Sequence, residues 1–382
     1  MALAAFRVLL YLLCAGATGY SLYAIAAARD FFRGPAPPEG GPRPPVSVLK
    51  PICGAEERAE ANFRSFADQD YAGLQIVFGS LDPHDPGLDA ARRVADAYPE
   101  QDIAVVAGED PGAAPGGNPK VRNLANIARY ARHDFLLFSD ADVRAPRDYV
   151  ARVAAVLADS AAGVVTSPYR SHGRGWGGIL QALGNAAEFQ PSVFVARRLE
   201  GLRFALGAGI LLRREVLTEI GGFTALAPYL ADDLMLGLLP ARAGRRVVLS
   251  LPVLDHELGF VSLRAFVRRQ IRWNRGIRAA RPGGYAGLLA TQSTILALLL
   301  LLATGGSASG VVVAAAAVLS RLAMAWDVGG RALGDRTVRR WILLVPVRDA
   351  VAFALWVAGF FGRTVEWRGV RYRVERGGRI AP

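Results

Sequence analysis

Lysine is almost missing from this 382-residue chain: of 45 basic residues only Lys50 and Lys120 are not arginine, and against 33 acids they leave a net charge of +12. Cysteine is down to Cys14, inside an apolar run, and Cys53, outside it, which excludes a disulfide framework and a thiolate zinc site. The four histidines, His84, His133, His172 and His256, have no ligand spacing between them, so a histidine-built zinc site is excluded too. Charge as a whole is scarce. Only 20% of residues are charged and 52% are hydrophobic, too apolar for a disordered chain or an ordinary soluble domain. The surplus has to sit in a membrane.

Val8 to Ala28 is 21 residues without a charge, bracketed by Arg7 and Arg29. At about 1.5 Å per residue such a helix spans the roughly 30 Å of a bilayer's hydrocarbon. Residues 1–30 therefore read as a membrane anchor; the run is longer than the apolar region of a cleaved signal peptide. Arg29, Arg33 and Arg43 outweigh Asp30 and Glu39 after it, which places the rest of the chain on the cytoplasmic side, expected to be that of a bacterial inner membrane. A Pro/Gly-rich linker fills 31–45. A second apolar region covers 283–362. Its first part, Pro282 to Ser320, carries no charge and is interrupted by Thr304-Gly305-Gly306-Ser307, the pattern of a hairpin of two spans, with Arg321 placed to snorkel. Its last part, Trp341 to Gly362, contains Pro346, Arg348 and Asp349, and a third full crossing would put the Arg-rich tail 363–382 outside. That segment is expected to be re-entrant or interfacial.

Between Pro45 and Pro282 the pattern changes to α/β alternation. Val46 to Leu49, Gln75 to Phe78, Ile103 to Val106, Phe135 to Phe138 and Gly163 to Thr166 are short apolar runs separated by helical stretches such as Leu88 to Tyr98 and Val121 to Ala131. Such alternation implies a parallel sheet, whose ligands bind beyond the carboxyl ends of the strands. Residues 46–260 are read as this catalytic domain, and the residues that follow each strand are where its chemistry should lie.

The fourth strand runs into Ser139-Asp140-Ala141-Asp142. Two carboxylates at a sheet's ligand edge suit a hard divalent cation, Mg²⁺ or Mn²⁺, bridging to phosphate oxygens; the alternative is a solvated turn. A second acidic pair, Asp232-Asp233, precedes Leu234-Met235-Leu236. Neighbouring acids repel, so one can have a raised pKa and accept a proton from a hydroxyl; the alternative is a helix N-cap. Residues 261–282 then form a basic helix: Val261 to Arg281 holds seven arginines and no acid, with an apolar stripe of Leu263, Phe266, Val267, Ile271 and Ile277. It reads both as a helix at a membrane surface and as a guanidinium cluster for a leaving diphosphate, the latter because of Arg269-Gln270-Ile271-Arg272-Trp273.

These motifs together resemble the membrane-bound inverting glycosyltransferases of GT-A (Rossmann-like) fold. Val48-Leu49-Lys50-Pro51 with Gly54 and Glu56, Asn118-Pro119-Lys120 with Asn123-Leu124, Ser139-Asp140, Ala231-Asp232-Asp233 and the tail from Glu366-Trp367-Arg368 to Gly377-Gly378 narrow the resemblance to the ceramide glucosyltransferase family. The likeness runs from about residue 46 to 378. It implies an N-terminal transmembrane anchor, C-terminal transmembrane helices, a UDP-sugar donor with glucose foremost, and a ceramide-like membrane lipid acceptor. Carried over, the first family carboxylate falls on Glu56, the metal-linked one on Asp140, the catalytic base on Asp233, and the diphosphate-facing motif on Arg269, Arg272 and Trp273. Lys50, Lys120 and Asp232 are counted with them as substrate-contacting. Two positions depart from the animal pattern: Glu56 stands for an aspartate, and Gln190 occupies a place where a histidine is usual.

In chemical terms, a cation at Asp140 and Asp142 would offset the diphosphate charge, Lys120 and Arg272 would add donors, and Asp233 would activate the lipid hydroxyl for one inverting displacement. His256, just after a strand Arg246 to Val253, is either an acceptor contact or a satisfied loop histidine, and Trp176 either a mobile-loop residue over the acceptor or ordinary packing. A hopanoid or other lipid transferase and a processive polysaccharide synthase share these motifs, though few spans follow the catalytic domain to build a polymer channel. A basic, membrane-anchored binding protein is the non-enzymatic reading. Nucleic acid is not among the expected partners.

Overall fold

A computed structural model describes residues 1–34, 41–110, 117–158, 162–367 and 369–381. Part of the linker (35–40) and Arg368 of the tail motif lie outside them. The chain divides into two compact units. One comprises Pro35–Tyr169, Glu200–Gly259 and Arg379–Pro382; the other comprises Met1–Gly34, Arg170–Leu199 and Phe260–Gly378. The division departs from the sequence reading of one domain over 46–260, because Arg170–Leu199 packs with the apolar helices.

In the first unit the apolar runs become neighbouring strands: β1 (Val46–Pro51), β2 (Leu74–Ser80), β3 (Asp102–Ala107), β4 (Phe135–Phe138), β5 (Val143–Arg144) and β6 (Ala162–Thr166). After β7 (Tyr169–Arg174), β8 (Ile210–Arg213), β9 (Arg246–Leu249) and β10 (Leu254–Phe260) complete the described strands up to residue 260. One seven-stranded sheet has the order β3-β2-β1-β4-β8-β6-β9. Its inner strands β2, β1, β4, β8 and β6 are buried on both faces and so read as apolar runs, whereas the edge strands β3 and β9 are mostly half-buried. Val46, Val48, Ile76 and Phe78 join the core beneath the helices Ala59–Ala67, Gly87–Ala97 and Tyr149–Ala158. Leu49 and Val77 join the opposite core with the helix Pro119–Ala128.

The sheet is mixed and not parallel, as the alternation implied. Strand β8 runs against both β4 and β6. Its register, Phe138↔Ile210, brings the residues that enter β8 to the edge where those leaving β4 emerge. Two smaller corrections belong here. The predicted strand Arg246 to Val253 ends at Leu249, and His256 lies inside β10, opposite Val143, and not after a strand. Trp176 lies near the start of the helix Gly175–Gly184 and not in a loop, edge-on to Trp341 at 5.8 Å.

Among the described residues of the second unit, three helices are long and apolar enough to cross a membrane: Ala2–Arg33, Ala308–Ala332 and Arg336–Gly359. A fourth candidate, Pro282–Thr291 with Ser293–Thr304, is bent by 60°. Leu10, Cys14 and Ala17 of the first helix meet Leu296, Leu300, Ala314 and Ala317, the small residues allowing close approach. Gly305 and Gly306, at φ 61° and 74°, make the turn at Thr304-Ser307, in a conformation that side-chain-bearing residues avoid.

The irregular element is therefore the arm Pro282–Thr304, whereas Trp341 to Gly362, expected to be re-entrant or interfacial, lies largely within a candidate span. The reason is that its charges are partnered. Asp349 takes a two-pronged bond from Arg321 (2.7 and 3.1 Å) and another from Thr294 (2.7 Å), and Arg348 pairs with Glu188. Arg321, 4% exposed, does not snorkel; it also donates to the Ala187 carbonyl at 2.6 Å.

The basic helix forms at Leu263–Ala280, where Ser262 Oγ accepts from the Ala265 amide at 3.2 Å. Arg275 donates to the carbonyls of Phe361 (3.0 Å) and Thr364 (2.5 Å), and Arg278 to those of Phe360 and Gly362. Two of its arginines are thus spent on the carbonyls of the segment 360–364 that follows the helix Arg336–Gly359.

Candidate active site

The turn Ser139–Val143 leaves β4 carrying Asp140 and Asp142. Beneath it lies Lys50, 0% exposed, in β1. Its Nζ donates to the Asp140 carbonyl (2.9 Å) and Ser139 Oγ (3.2 Å) and sits 3.9 Å from the centre of the Phe66 ring. On the other side of Asp140 is Lys120, whose Nζ lies 2.7 Å from Asp140 Oδ1 and 3.1 Å from Asp232 Oδ2. The chain's two lysines thus hold the same aspartate, one by its backbone and one by its carboxylate. Neither sits in a loop: Lys50 is in a strand and Lys120 in the first turn of the helix Pro119–Ala128.

Local sequence explains why Lys120 is there. Asn118 is the N-cap, its Oδ1 accepting from the Lys120 and Val121 amides (2.9 and 3.3 Å), and Pro119 fills a position that needs no donor. The Asn118 amide also donates to the Tyr229 carbonyl at 2.9 Å, tying this helix to the segment that leads into Asp232.

Asp232 and Asp233 open the helix Asp232–Arg242, but neither caps it; Ala231 holds the cap position. Asp233 Oδ1 accepts from the Leu234 amide at 2.8 Å, and the helix's positive end favours both carboxylates. Gly207 shows how the acids converge. A Cβ built there would stand 3.3 Å from Asp140 Oδ2 and 3.4 Å from Asp233 Oδ2. Acids 93 positions apart thus border one small space.

The electrostatics separate the roles. Burial, reinforced by the Asp232 charge, pushes Asp233 up to about 6, while Lys120 and the Leu234 amide pull it down. Burial raises Asp140 as well, Lys120 opposes this, and Asp142 adds to it. Lys120 is lowered by burial but more than restored by Asp140, Asp232 and Asp233, so its ammonium stays charged. Lys50, with burial opposed by Asp140 and Asp142, is lowered to about 7. Tyr169 is raised by burial and then by Asp233, Asp140 and Asp142, which keeps its phenol neutral beside three acids. Its ring meets His256 edge-on at 5.5 Å, and His256 Nε2 lies 3.1 Å from Asp142 Oδ2.

Asp140 and Asp142 supply hard oxygens, and among the described residues no group of three or more His, Cys, Asp or Glu could hold a metal ion. This donor set fits a cation that takes one or two carboxylates and completes its shell with substrate phosphates.

Of the residues singled out from sequence, Lys50, Lys120, Asp140, Asp142, Asp232 and Asp233 come together. Glu56 is exposed on the segment after β1. Arg269, Arg272 and Trp273 lie in the apolar unit, where Arg269 donates to Gln181 Oε1 (3.1 Å), Arg272 stacks on Trp367 (5.6 Å) and Trp273 is exposed. Gln190 is buried, its amide without a hydrogen-bond partner among the described residues. Gly207 and Tyr169 were missed; the small run Gly207-Ala208-Gly209 before Ile210-Leu211-Leu212 was the one legible signal, marking a close approach.

That cradle is directly testable. Gly207→Ala places a methyl against both carboxylates and is expected to lower kcat/KM by about tenfold or more, with little change in melting temperature. Unchanged activity would show that the space at Gly207 is not used.

A mannosyltransferase from Pyrobaculum calidifontis, solved with GDP-Man and Mn²⁺, shares the fold: the TM-score is 0.54 at 22% identity, covering 93% of this chain and 99% of that one. Ceramide glucosyltransferase 3 of Caenorhabditis elegans is 25% identical over 233 residues, 60% of this chain and 50% of that protein. The ceramide glucosyltransferase of Komagataella phaffii is 32% identical over 99 residues, 26% of this chain and 19% of that protein. The chain spans at most about half the length of these ceramide glucosyltransferases. The fold is a mixed α/β, GT-A-like one, and the family profile gives the class: a glycosyltransferase. The profile of glycosyl transferase family 21 matches residues 9–380, and the chain belongs to that family.

Proposed function

We propose that this protein transfers a sugar, glucose foremost, from a UDP-sugar to the hydroxyl of a ceramide-like membrane lipid, with inversion, at the cytoplasmic face of a membrane. The observation that carries the reading is the convergence of the Asp140 and Asp233 carboxylates on Gly207, with Lys120 bridging Asp140 to Asp232. Asp233 is the general base, taking the proton from the acceptor hydroxyl as its oxygen attacks the anomeric carbon. A single displacement needs no carboxylate nucleophile. Lys120 offers a charged donor to the diphosphate. Asp140 and Asp142 would hold Mg²⁺ or Mn²⁺, which supplies charge neutralisation of the leaving diphosphate when bound. Arg269, Arg272 and Trp273 are assigned to the diphosphate by family resemblance, as is Glu56 to the nucleotide.

The test is incubation of purified protein with a panel of UDP-sugars and lipid extract, with and without EDTA, with products identified by mass. One glycolipid, lost with EDTA, is expected; a polymer, or no product from any donor, would overturn the reading. The pH profile adds a second check. A base must be ionised to work, so with Asp233 near 6, kcat/KM should be fully present above that value. It should fall about tenfold per pH unit below it. A profile flat down to pH 5 would remove Asp233 from the role.

A further inference from the structure

Of the chain's two lysines only Lys120 is open to a ligand. Lys50 is enclosed, and what encloses it is the underside of the proposed metal–diphosphate site. Its ammonium has three hydrogens, and three acceptors from one turn surround it: the Asp140 carbonyl at 2.9 Å, Ser139 Oγ at 3.2 Å and the Val143 carbonyl at 3.5 Å. The Phe66 face closes the remaining side at 3.9 Å. Ser139 Oγ passes the tie on, donating to the Ala208 carbonyl at 3.0 Å, next to the Gly207 cradle. Asn62 Nδ2 holds the Ala141 carbonyl at 3.3 Å from the adjoining helix Ala59–Ala67.

These bonds take the backbone oxygens of the turn and leave the Asp140 and Asp142 carboxylates to other partners. Arginine could not replace this lysine: its planar fork is larger and cannot converge three donors on one turn from an enclosed position. We propose that Lys50 is a positioning residue for the metal–diphosphate site, fixing the Ser139–Val143 turn from beneath and not touching substrate. The inference rests on the metal–diphosphate reading given above and replaces the substrate contact expected of Lys50 from sequence.

The experiment is a Mn²⁺ titration in the presence of UDP, followed by the loss of the free-ion EPR signal, on wild-type protein, Lys50→Met and Lys50→Arg. Loss of an outer-shell partner is expected to raise the Mn²⁺ dissociation constant by about tenfold or more in both variants. Binding of UDP without metal should stay close to wild type, a split that general unfolding would not produce. If Lys50→Met does not fold, Ser139→Ala and Asn62→Ala carry the test, each removing one neutral tie of the same turn, with a rise of several-fold expected. Wild-type binding with unchanged constants in the folded variants overturns the role of Lys50 alone. Wild-type protein that takes up no Mn²⁺ with UDP present overturns the metal–diphosphate reading, and the inference with it.

Discussion

Asp233→Asn is expected to lower kcat by about a thousandfold while leaving UDP binding nearly unchanged, the general-base contribution being of that order. The substitution keeps the side chain's shape and its bond to the Leu234 amide, at 2.8 Å in the native protein. It also removes one of three carboxylates around Lys120 and leaves the two within 3.1 Å, those of Asp140 and Asp232. The donor end of the site therefore keeps its geometry, and the loss falls on the chemical step. Isothermal titration with UDP alongside single-turnover rates measures both quantities. Equal loss of binding and rate would make Asp233 a structural acid, and full activity would remove it from the general-base role.

The largest stability effect is expected at Asp349. Its carboxylate and the Arg321 guanidinium are 6% and 5% exposed, bonded in a two-pronged pair at 2.7 and 3.1 Å. Removing one partner of such a pair leaves a buried charge uncompensated and typically costs about 3–5 kcal/mol. Asp349→Ala should therefore sharply lower the temperature at which the protein aggregates in detergent. The double substitution Arg321→Met with Asp349→Leu should recover most of the loss, because no charge is left stranded. Heating followed by size-exclusion chromatography separates the cases. If single and double variants lose equal stability, the pair contributes by shape and not by charge.

The same pair shows where sequence reading stops. Arg348 and Asp349 argued against a crossing at Trp341 to Gly362 because a charge in hydrocarbon is costly when alone. Their partners, Glu188 and Arg321, lie 160 and 28 positions away, and nothing local announces them. By contrast β1, β2, β4 and β6 were legible, because strands buried on both faces must be apolar throughout. Their direction was not: Ile210-Leu211-Leu212 is as apolar as its neighbours, and an apolar run carries no arrow. The acidic pairs were legible as candidates only, since a carboxylate pair after a strand also fits a solvated turn and one ahead of an apolar run also fits a helix cap. Nor was the difference between Lys50 and Lys120 legible, because the sequence put both at strand edges, whereas Lys50 lies enclosed in a strand and Lys120 in the first turn of a helix.

The reversed strand has a further consequence, for what fastens the backbone of Asp233. Six strands of the large sheet deliver their exits to one edge, whereas β8 delivers its entrance, and the peptide ahead of Ile210 is tied down before it arrives: Leu202 bridges Val247, the Ala205 amide donates to the Asp233 carbonyl at 3.2 Å and the Leu206 amide to Thr166 Oγ1 at 2.9 Å. Leu202, Ala205 and Leu206 are buried, so a change of length over 200–206 would pull on the backbone of Asp233 itself.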